Sequence, residues 1–199
     1  MSVLYQKAYF LLSVADVKQL PPDEGIEVAI VGRSNAGKSS ALNCITKNKG
    51  LARVSKTPGR TQMVNVFMLD DDRRLTDLPG YGFAKVPLAV KHKWQETVDE
   101  YIQTRESLQG MILVMDIRHP LKDLDVDLLE YCDDRGLPVC ILLNKADKLS
   151  KSAAKTTLLE VQAALKDYRN EIHIQLFSAL RGVGLKELYS ILDSWYEIS

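Results

Sequence analysis

Residues Gly32-Arg33-Ser34-Asn35-Ala36-Gly37-Lys38-Ser39 form a G-x-x-x-x-G-K-S loop between an apolar run, Val28 to Val31, and a helix-like run, Ser39 to Thr46. No other feature constrains the fold as much, because the loop commits the chain to a strand–loop–helix unit. A polyphosphate needs several backbone N–H donors converging on its oxygens, and Gly32 and Gly37 let the chain approach closely where a β-carbon would block it. A helix starting near Lys38 turns its free N–H groups and its dipole toward the same anion. Lys38 can then reach the β and γ phosphates as a mobile charge, and the Ser39 hydroxyl is placed to ligate Mg²⁺. The loop reads as a triphosphate cradle.

The rest of the chain alternates. Apolar runs at Val64 to Leu69, Arg74 to Leu78, Met111 to Met115, Val139 to Leu143 and Ile172 to Phe177 read as strands, with helical periodicity between them. Val90, Trp94, Val98, Tyr101, Ile102 and Leu108 recur on one face of a long helix, for which Gln109-Gly110 is the expected stop. Leu124, Leu128 and Cys132 mark a second helix, stopped by Gly136 and Pro138. Leu158, Val161, Leu165 and Tyr168 mark a third, and Leu185, Leu188, Leu192 and Trp195 a fourth; these stripes read as core. The polar turn Asp70-Asp71-Asp72-Arg73 suggests a hairpin and hence one antiparallel strand. The prediction is an α/β fold: a mostly parallel six-stranded sheet with one antiparallel strand, helices on both faces, and ligands at the C-terminal ends of the strands. Residues 1–26 read as an N-terminal extension packed on the domain formed by 27–199, with Tyr9 to Val14 either adding an edge strand or packing as a cover.

The chain has 199 residues, 46% hydrophobic and 26% charged, which fits one globular domain and excludes a disordered chain. Equal numbers of acidic and basic residues exclude a globally basic nucleic-acid binder, yet Lys47, Lys49, Arg53, Lys56 and Arg60 form a stretch with no acid in it. Cys44, Cys132 and Cys140 lie in apolar stretches without C-x-x-C spacing, which predicts buried reduced thiols and a cytoplasmic setting. The longest apolar runs, near Ile112 and Ile141, are strand-length, and no signal peptide is evident, so membrane insertion is not expected.

Further motifs follow the predicted strands. In Asp77-Leu78-Pro79-Gly80, a D-x-x-G, the carboxylate can hold Mg²⁺ through water and the Gly80 N–H can sense a γ-phosphate. In Asn144-Lys145-Ala146-Asp147, the aspartate can accept hydrogen bonds from the N1–H and exocyclic amine of guanine, whereas adenine offers neither at those positions. Two charge-assisted bonds at about 1.5–3 kcal/mol each make a preference for guanine of about a hundredfold or more physically reasonable. Ser178-Ala179-Leu180 can supply a backbone N–H to the guanine O6. Thr57-Pro58-Gly59-Arg60-Thr61 occupies the position of a loop that closes over nucleotide, with Thr61 the candidate for a second Mg²⁺ hydroxyl ligand and Thr57 its competitor.

The ordered set G-R-S-N-A-G-K-S, T-P-G-R-T, D-L-P-G-Y-G, N-K-A-D and S-A-L resembles the translation-factor-related GTPases, and within them the EngB (YihA/YsxC) family of bacterial ribosome-biogenesis GTPases. Arg33 to Ser40, Ser55 to Gln62, Asp77 to Phe83 and Asp116 to Asp123, the last reading D-I-R-H-P-L-K-D, carry the likeness, which covers essentially the whole chain. The resemblance implies a Ras-like P-loop GTPase fold, Mg²⁺-dependent GTP hydrolysis, a role in assembling the large ribosomal subunit, and an association with cell division and septation. By position it implies nucleotide contacts from Gly32 to Ser39, from Gly59-Arg60-Thr61-Gln62-Met63, from Asp77-Leu78-Pro79-Gly80, from Asn144-Lys145-Ala146-Asp147 and from Phe177-Ser178-Ala179. It places Mg²⁺ on Ser39 and Thr61.

Where Ras-like enzymes place a water-orienting glutamine after D-x-x-G, this chain has Tyr81, so slow intrinsic hydrolysis is expected. Lys38, Asn35 and Arg60 are candidates for stabilising the transferred phosphoryl group, and none is assigned as catalytic. Arg60 fits a charge in cis or an RNA-facing residue equally well. Asn35 fits a K⁺-assisted mechanism, as in related GTPases that lack the glutamine, or a loop-shaping role. The basic stretch from Lys47 to Arg60 and a second cluster of Lys85, Lys91, His92 and Lys93 would make contact with RNA phosphates nucleotide-dependent. The expected partner is a large-subunit precursor in the GTP state, met by a monomer. The rival readings are a GTP-binding scaffold with negligible turnover and a metabolic P-loop phosphotransferase.

Overall fold

Strands covered on both faces need unbroken apolar runs, and Val28–Val31, Met111–Met115 and Val139–Leu143 supply them. The computed structural model describes residues 3–52, 63–82 and 88–198, with backbone only for 88–91. Its strands are β1 (Tyr9–Val14), β2 (Ile26–Gly32), β3 (Val64–Met68), β4 (Arg73–Asp77), β5 (Leu108–Asp116), β6 (Val139–Asn144) and β7 (Ile172–Leu176). The helices are α1 (Lys38–Thr46), α2 (Leu88–Thr104), α3 (Asp123–Arg135), α4 (Lys151–Ala164) and α5 (Leu185–Trp195). The strands form one sheet in the order β1-β3-β4-β2-β5-β6-β7. β3 runs antiparallel to both of its neighbours, and the remaining pairs are parallel.

Side chains alternate strictly between two cores. Ala29, Val31, Met111, Leu113, Met115, Val139, Ile141 and Leu143 face α2, α3 and α4, where they meet Val98, Leu128 and Val161. Val28, Ile30, Ile112, Val114, Cys140 and Leu142 face α1 and α5, where they meet Leu42, Ile45, Leu188 and Leu192. Each fully buried aliphatic side chain contributes about 1.5–3 kcal/mol, so β2, β5 and β6 anchor both layers.

The six expected strands are present, and Tyr9–Val14 adds a seventh at the edge. The chain before it also reaches the core: Tyr5 is 1% exposed, stacks on Tyr189 at 4.9 Å and donates to Asp193 at 2.7 Å. The β3–β4 hairpin turns on Asp70, which accepts from the N–H groups of Asp72 and Arg73 and from the Arg73 guanidinium.

Two boundaries differ from the sequence reading. The long helix ends at Thr104, and Leu108, Gln109 and Gly110 belong to β5. The helix stops where the Arg135 guanidinium takes the carbonyls of Ile102 and Arg105, which removes the need for a glycine cap. Gly110 serves another purpose: a β-carbon there would lie 2.5 Å from the Trp195 indole, which packs directly on the strand. Likewise α4 ends at Ala164, and Leu165 and Tyr168 reach the core from the turn beyond it. Cys132 and Cys140 are buried free thiols, whereas Cys44 is only half-buried.

Candidate nucleotide site

The C-terminal ends of β2, β4, β6 and β7 open onto one place, and the sequence motifs meet there. β2 delivers Gly32 into the loop, which returns through Gly37 at φ 95° to start α1 at Lys38. A side chain at Gly37 would be strained at that φ, and its β-carbon would lie 2.4 Å from the Asn144 amide nitrogen. Asn35 also has positive φ, 64°, a conformation that asparagine tolerates better than most residues. Arg33 is exposed and bridges Tyr81, while the Ser34 N–H donates to the Tyr81 carbonyl at 2.6 Å. The Ala36 N–H closes the turn on the Arg33 carbonyl at 3.0 Å.

Lys38 Nζ donates to the Asp77 carboxylate and, at 2.8 Å, to the Leu78 carbonyl. Asp77 also accepts from Asn65 Nδ2 at 3.2 Å. Ser39 is half-buried in the first turn of α1. The Asp77-Leu78-Pro79-Gly80 turn lies against the loop, with the Leu78 N–H on the Ile30 carbonyl at 2.9 Å and Gly80 facing Gly32 and Lys38. Tyr81 is 3% exposed, and its hydroxyl donates to the Asp125 carboxylate, so it is turned into the core and away from the cradle.

Asn144 joins three motifs. Its side chain, in a residue only 2% exposed, donates to the Ala36 carbonyl at 2.8 Å and accepts from the Ala179 N–H at 3.2 Å. Lys145, at φ 64°, runs its side chain over the loop and donates to the Asn35 carbonyl at 2.5 Å and to Asp116 at 2.9 Å. Phe177 is fully buried; its N–H donates to the Leu143 carbonyl and its own carbonyl accepts from the Ala146 N–H, each at 3.0 Å. Ser178 Oγ donates to Asp147 at 2.5 Å. That hydrogen bond is the main cause holding the Asp147 carboxyl below its ordinary pKa, helped by the charges of Lys148 and Arg181.

Three contributors were not singled out as site residues in the sequence. Asp116 ends β5 and holds Lys145 together with Arg118, which donates to it at 2.7 and 2.9 Å. Burial alone would raise the Asp116 carboxyl, but these partners hold it well below the usual carboxylate range. Asn65 steadies Asp77, and Trp94, read as core, donates its indole N–H to the Pro79 carbonyl at 2.7 Å. Only Asp116 carried a signal, as the first residue of D-I-R-H-P. Met63 lies just before β3. Thr57, Gly59, Arg60, Thr61 and Gln62 fall outside the described residues, as do Arg53, Lys56, Lys85 and the side chain of Lys91.

The loop amides beside Gly37, the Lys38 ammonium on Asp77 and the Asp147 carboxylate are a donor and acceptor set whose chemistry suits a purine nucleoside polyphosphate. Comparison with known proteins agrees. Residues 27–145 match the family model described as 50S ribosome-binding GTPase, and residues 96–197 match that of the elongation factor Tu GTP binding domain. The probable GTP-binding protein EngB of Psychromonas ingrahamii is 55% identical, over 96% of this chain and 90% of its own. The chain belongs to the EngB family of GTP-binding proteins. The EngB protein of Coxiella burnetii is also 55% identical, with 96% and 94% covered. A crystal structure of a probable GTP-binding protein engB shares the fold at a TM-score of 0.69, with 18% identity over 87% of this chain and all of that one. Era, in a complex with MgGDPNP and nucleotides 1506–1542 of 16S ribosomal RNA, does so at 0.62, with 22% identity over 86% of this chain and 57% of that one.

Membership of the EngB family makes this chain a GTP-binding GTPase whose ligands are GTP and GDP. The family typically uses Mg²⁺, and the residues present suit it. Ser39 and Asp77 offer hard oxygen donors, and no group of three His, Cys, Asp or Glu among the described residues could cage an ion. A divalent cation there would draw most of its shell from phosphate and water, which is the habit of Mg²⁺. No helix among the described residues is long and apolar enough to cross a membrane.

Proposed function

We propose that this protein is a guanine-nucleotide switch that hydrolyses GTP slowly and acts, in its GTP state, on a precursor of the large ribosomal subunit. The observation that carries the nucleotide part is the Asn144 staple, which ties the phosphate loop, the N-K-A-D turn and the S-A-L turn into one pocket. In that pocket Gly32 to Ser39 bind the phosphates, Lys38 leaves Asp77 for the β and γ oxygens, and Asp147, oriented by Ser178, selects guanine. Lys145 covers the loop, and the backbone of Phe177 and Ala179 shapes the floor beneath the base. Gly59 to Met63 are further nucleotide contacts by their correspondence to the family motif. Ser39 and Thr61 hold Mg²⁺, which when bound neutralises charge on the β and γ phosphates.

The burial of Tyr81 supports slow turnover, since a phenol engaged with Asp125 cannot orient an attacking water. A scaffold with negligible turnover is the extreme of the same reading. The positive φ of Asn35 favours its loop-shaping role, and unchanged turnover on replacing K⁺ by Na⁺ would remove the potassium mechanism. A metabolic phosphotransferase is disfavoured by the N-K-A-D turn and by the EngB relatives.

The ribosomal partner rests on the match to the 50S ribosome-binding GTPase family and on exposed basic residues, among them Lys49, His92 and Lys93. Phosphate contacts of this kind are salt-dependent. The protein should sediment with large-subunit precursors when loaded with a GTP analogue and dissociate with GDP or added salt. Depletion in its host should leave such precursors to accumulate and impair division and septation. Equal binding in both nucleotide states would refute the switch. The setting is cytoplasmic, the working form is a monomer, and residues 1–26 and 27–199 act as one unit.

A further inference from the structure

The turn after β4 is gripped from two sides. On the inner side the Leu78 carbonyl accepts from Lys38, the Tyr81 carbonyl accepts from the Ser34 N–H, and a β-carbon on Gly80 would lie 3.5 Å from the Gly32 carbonyl and 4.0 Å from Lys38 Cε. On the outer side the Trp94 indole N–H donates to the Pro79 carbonyl at 2.7 Å. The Trp94 ring also packs on Tyr81 at 4.7 Å, and the Tyr81 hydroxyl donates to Asp125. Asp125 is 1% exposed and is itself fixed by the Lys122 N–H at 2.9 Å, at the start of α3.

The Pro79 carbonyl and the Gly80 N–H belong to the same peptide unit. No cis peptide occurs among the described residues, and a trans peptide points its C=O and N–H in opposite directions in one plane. A donor that fixes the Pro79 oxygen from the α2 side therefore sets the direction of the Gly80 N–H on the cradle side. No acceptor for that N–H exists among the described residues.

We propose that Trp94 is a positioning residue for γ-phosphate recognition: by holding the Pro79 carbonyl it aims the Gly80 N–H at the place where the γ-phosphate of GTP arrives, with the Tyr81–Asp125 pair as the second anchor of the same turn. GDP has no group at that place, so the clamp favours GTP over GDP without touching either. The inference rests on the guanine-nucleotide reading above and adds how the third phosphate is sensed.

Trp94→Phe keeps an aromatic ring against Tyr81 and deletes only the donor. Its affinity for a non-hydrolysable GTP analogue should fall about fivefold or more, the effect of one ordinary hydrogen bond. GDP affinity should stay within about twofold, since no part of GDP reaches this turn. Tyr81→Phe should shift the GTP-to-GDP ratio in the same direction, and it carries the test alone if Trp94→Phe does not fold. Wild-type protein that binds both nucleotides, with variants that keep its ratio or lose both affinities equally, would overturn the role of Trp94 and leave the switch reading standing. Wild-type protein that binds neither nucleotide would overturn both.

Discussion

Replacing Asn144 by alanine would cut the phosphate loop free from the two turns that face it. The Ala36 carbonyl and the Ala179 N–H would each lose a partner, at a residue only 2% exposed. A buried polar group left unpaired costs about 1–3 kcal/mol, and water entering from the open side of the pocket offsets part of it, so about 2–3 kcal/mol in total is expected. In a chain of this size each kcal/mol moves the melting temperature by about 2–4 °C, which gives a fall of about 5–10 °C. GDP affinity should fall at least about tenfold, because amides that must converge on phosphate no longer share a fixed frame. Gly110→Ala is the control. Its β-carbon would press on Trp195 away from the nucleotide loops, at a cost of about 1–3 kcal/mol, so its melting point should fall similarly while GDP affinity holds. Differential scanning fluorimetry with and without GDP, together with GDP calorimetry, reads both effects. An Asn144→Ala protein that binds GDP as tightly as wild type would refute the claim that this side chain organises the site.

Asp147→Asn should weaken GDP by about a hundredfold or more and favour xanthosine diphosphate, whose 2-oxo group accepts where guanine donates; nucleotide competition assays measure both. The Asp147 carboxyl is held below its ordinary value, so its contribution is fully present above about pH 4 and is lost only as pH falls through the lowered folded value. GDP affinity should therefore be flat from pH 8 to 5, and Ser178→Ala should move the acid-side loss upward, toward the unperturbed carboxylate range. Burial pushes the Cys132 and Cys140 thiols up to about 12, so a thiol reagent applied to the native protein near pH 8 should modify Cys44 first, as mass spectrometry would show; equal labelling of all three would contradict the packing.

The fold was largely legible because its central strands carry unbroken apolar runs, Val28–Val31, Met111–Met115 and Val139–Leu143, and its loops carry fixed motifs. The strand–loop–helix at Gly32 to Ser39 and the hairpin at Asp70 to Arg73 are local, and local chemistry is what a sequence displays. Gly110 misled because a glycine in sequence signals a stop, while the reason for this one is an indole from α5, 85 positions away in the chain. Arg135, which ends α2, also acts from a distance, 33 and 30 positions beyond the carbonyls it takes. In the site, the motif residues could be named from spacing, but their mutual bonds could not. Asn144 reads as one letter of N-K-A-D until its amide is seen on Ala36 and Ala179. Trp94 fits a core stripe perfectly well, and only the position of the Pro79 carbonyl gives its N–H a task.

The proposed switch needs a pocket that holds a phosphate chain at one end and reads guanine at the other. Calorimetric titration of the purified protein with GTP analogue, GDP and ATP in Mg²⁺ tests it most directly. Both guanine nucleotides should bind about a hundredfold or more tighter than ATP, and the gap should close in Asp147→Ala. ATP binding as strong as GTP in the wild-type chain would contradict it.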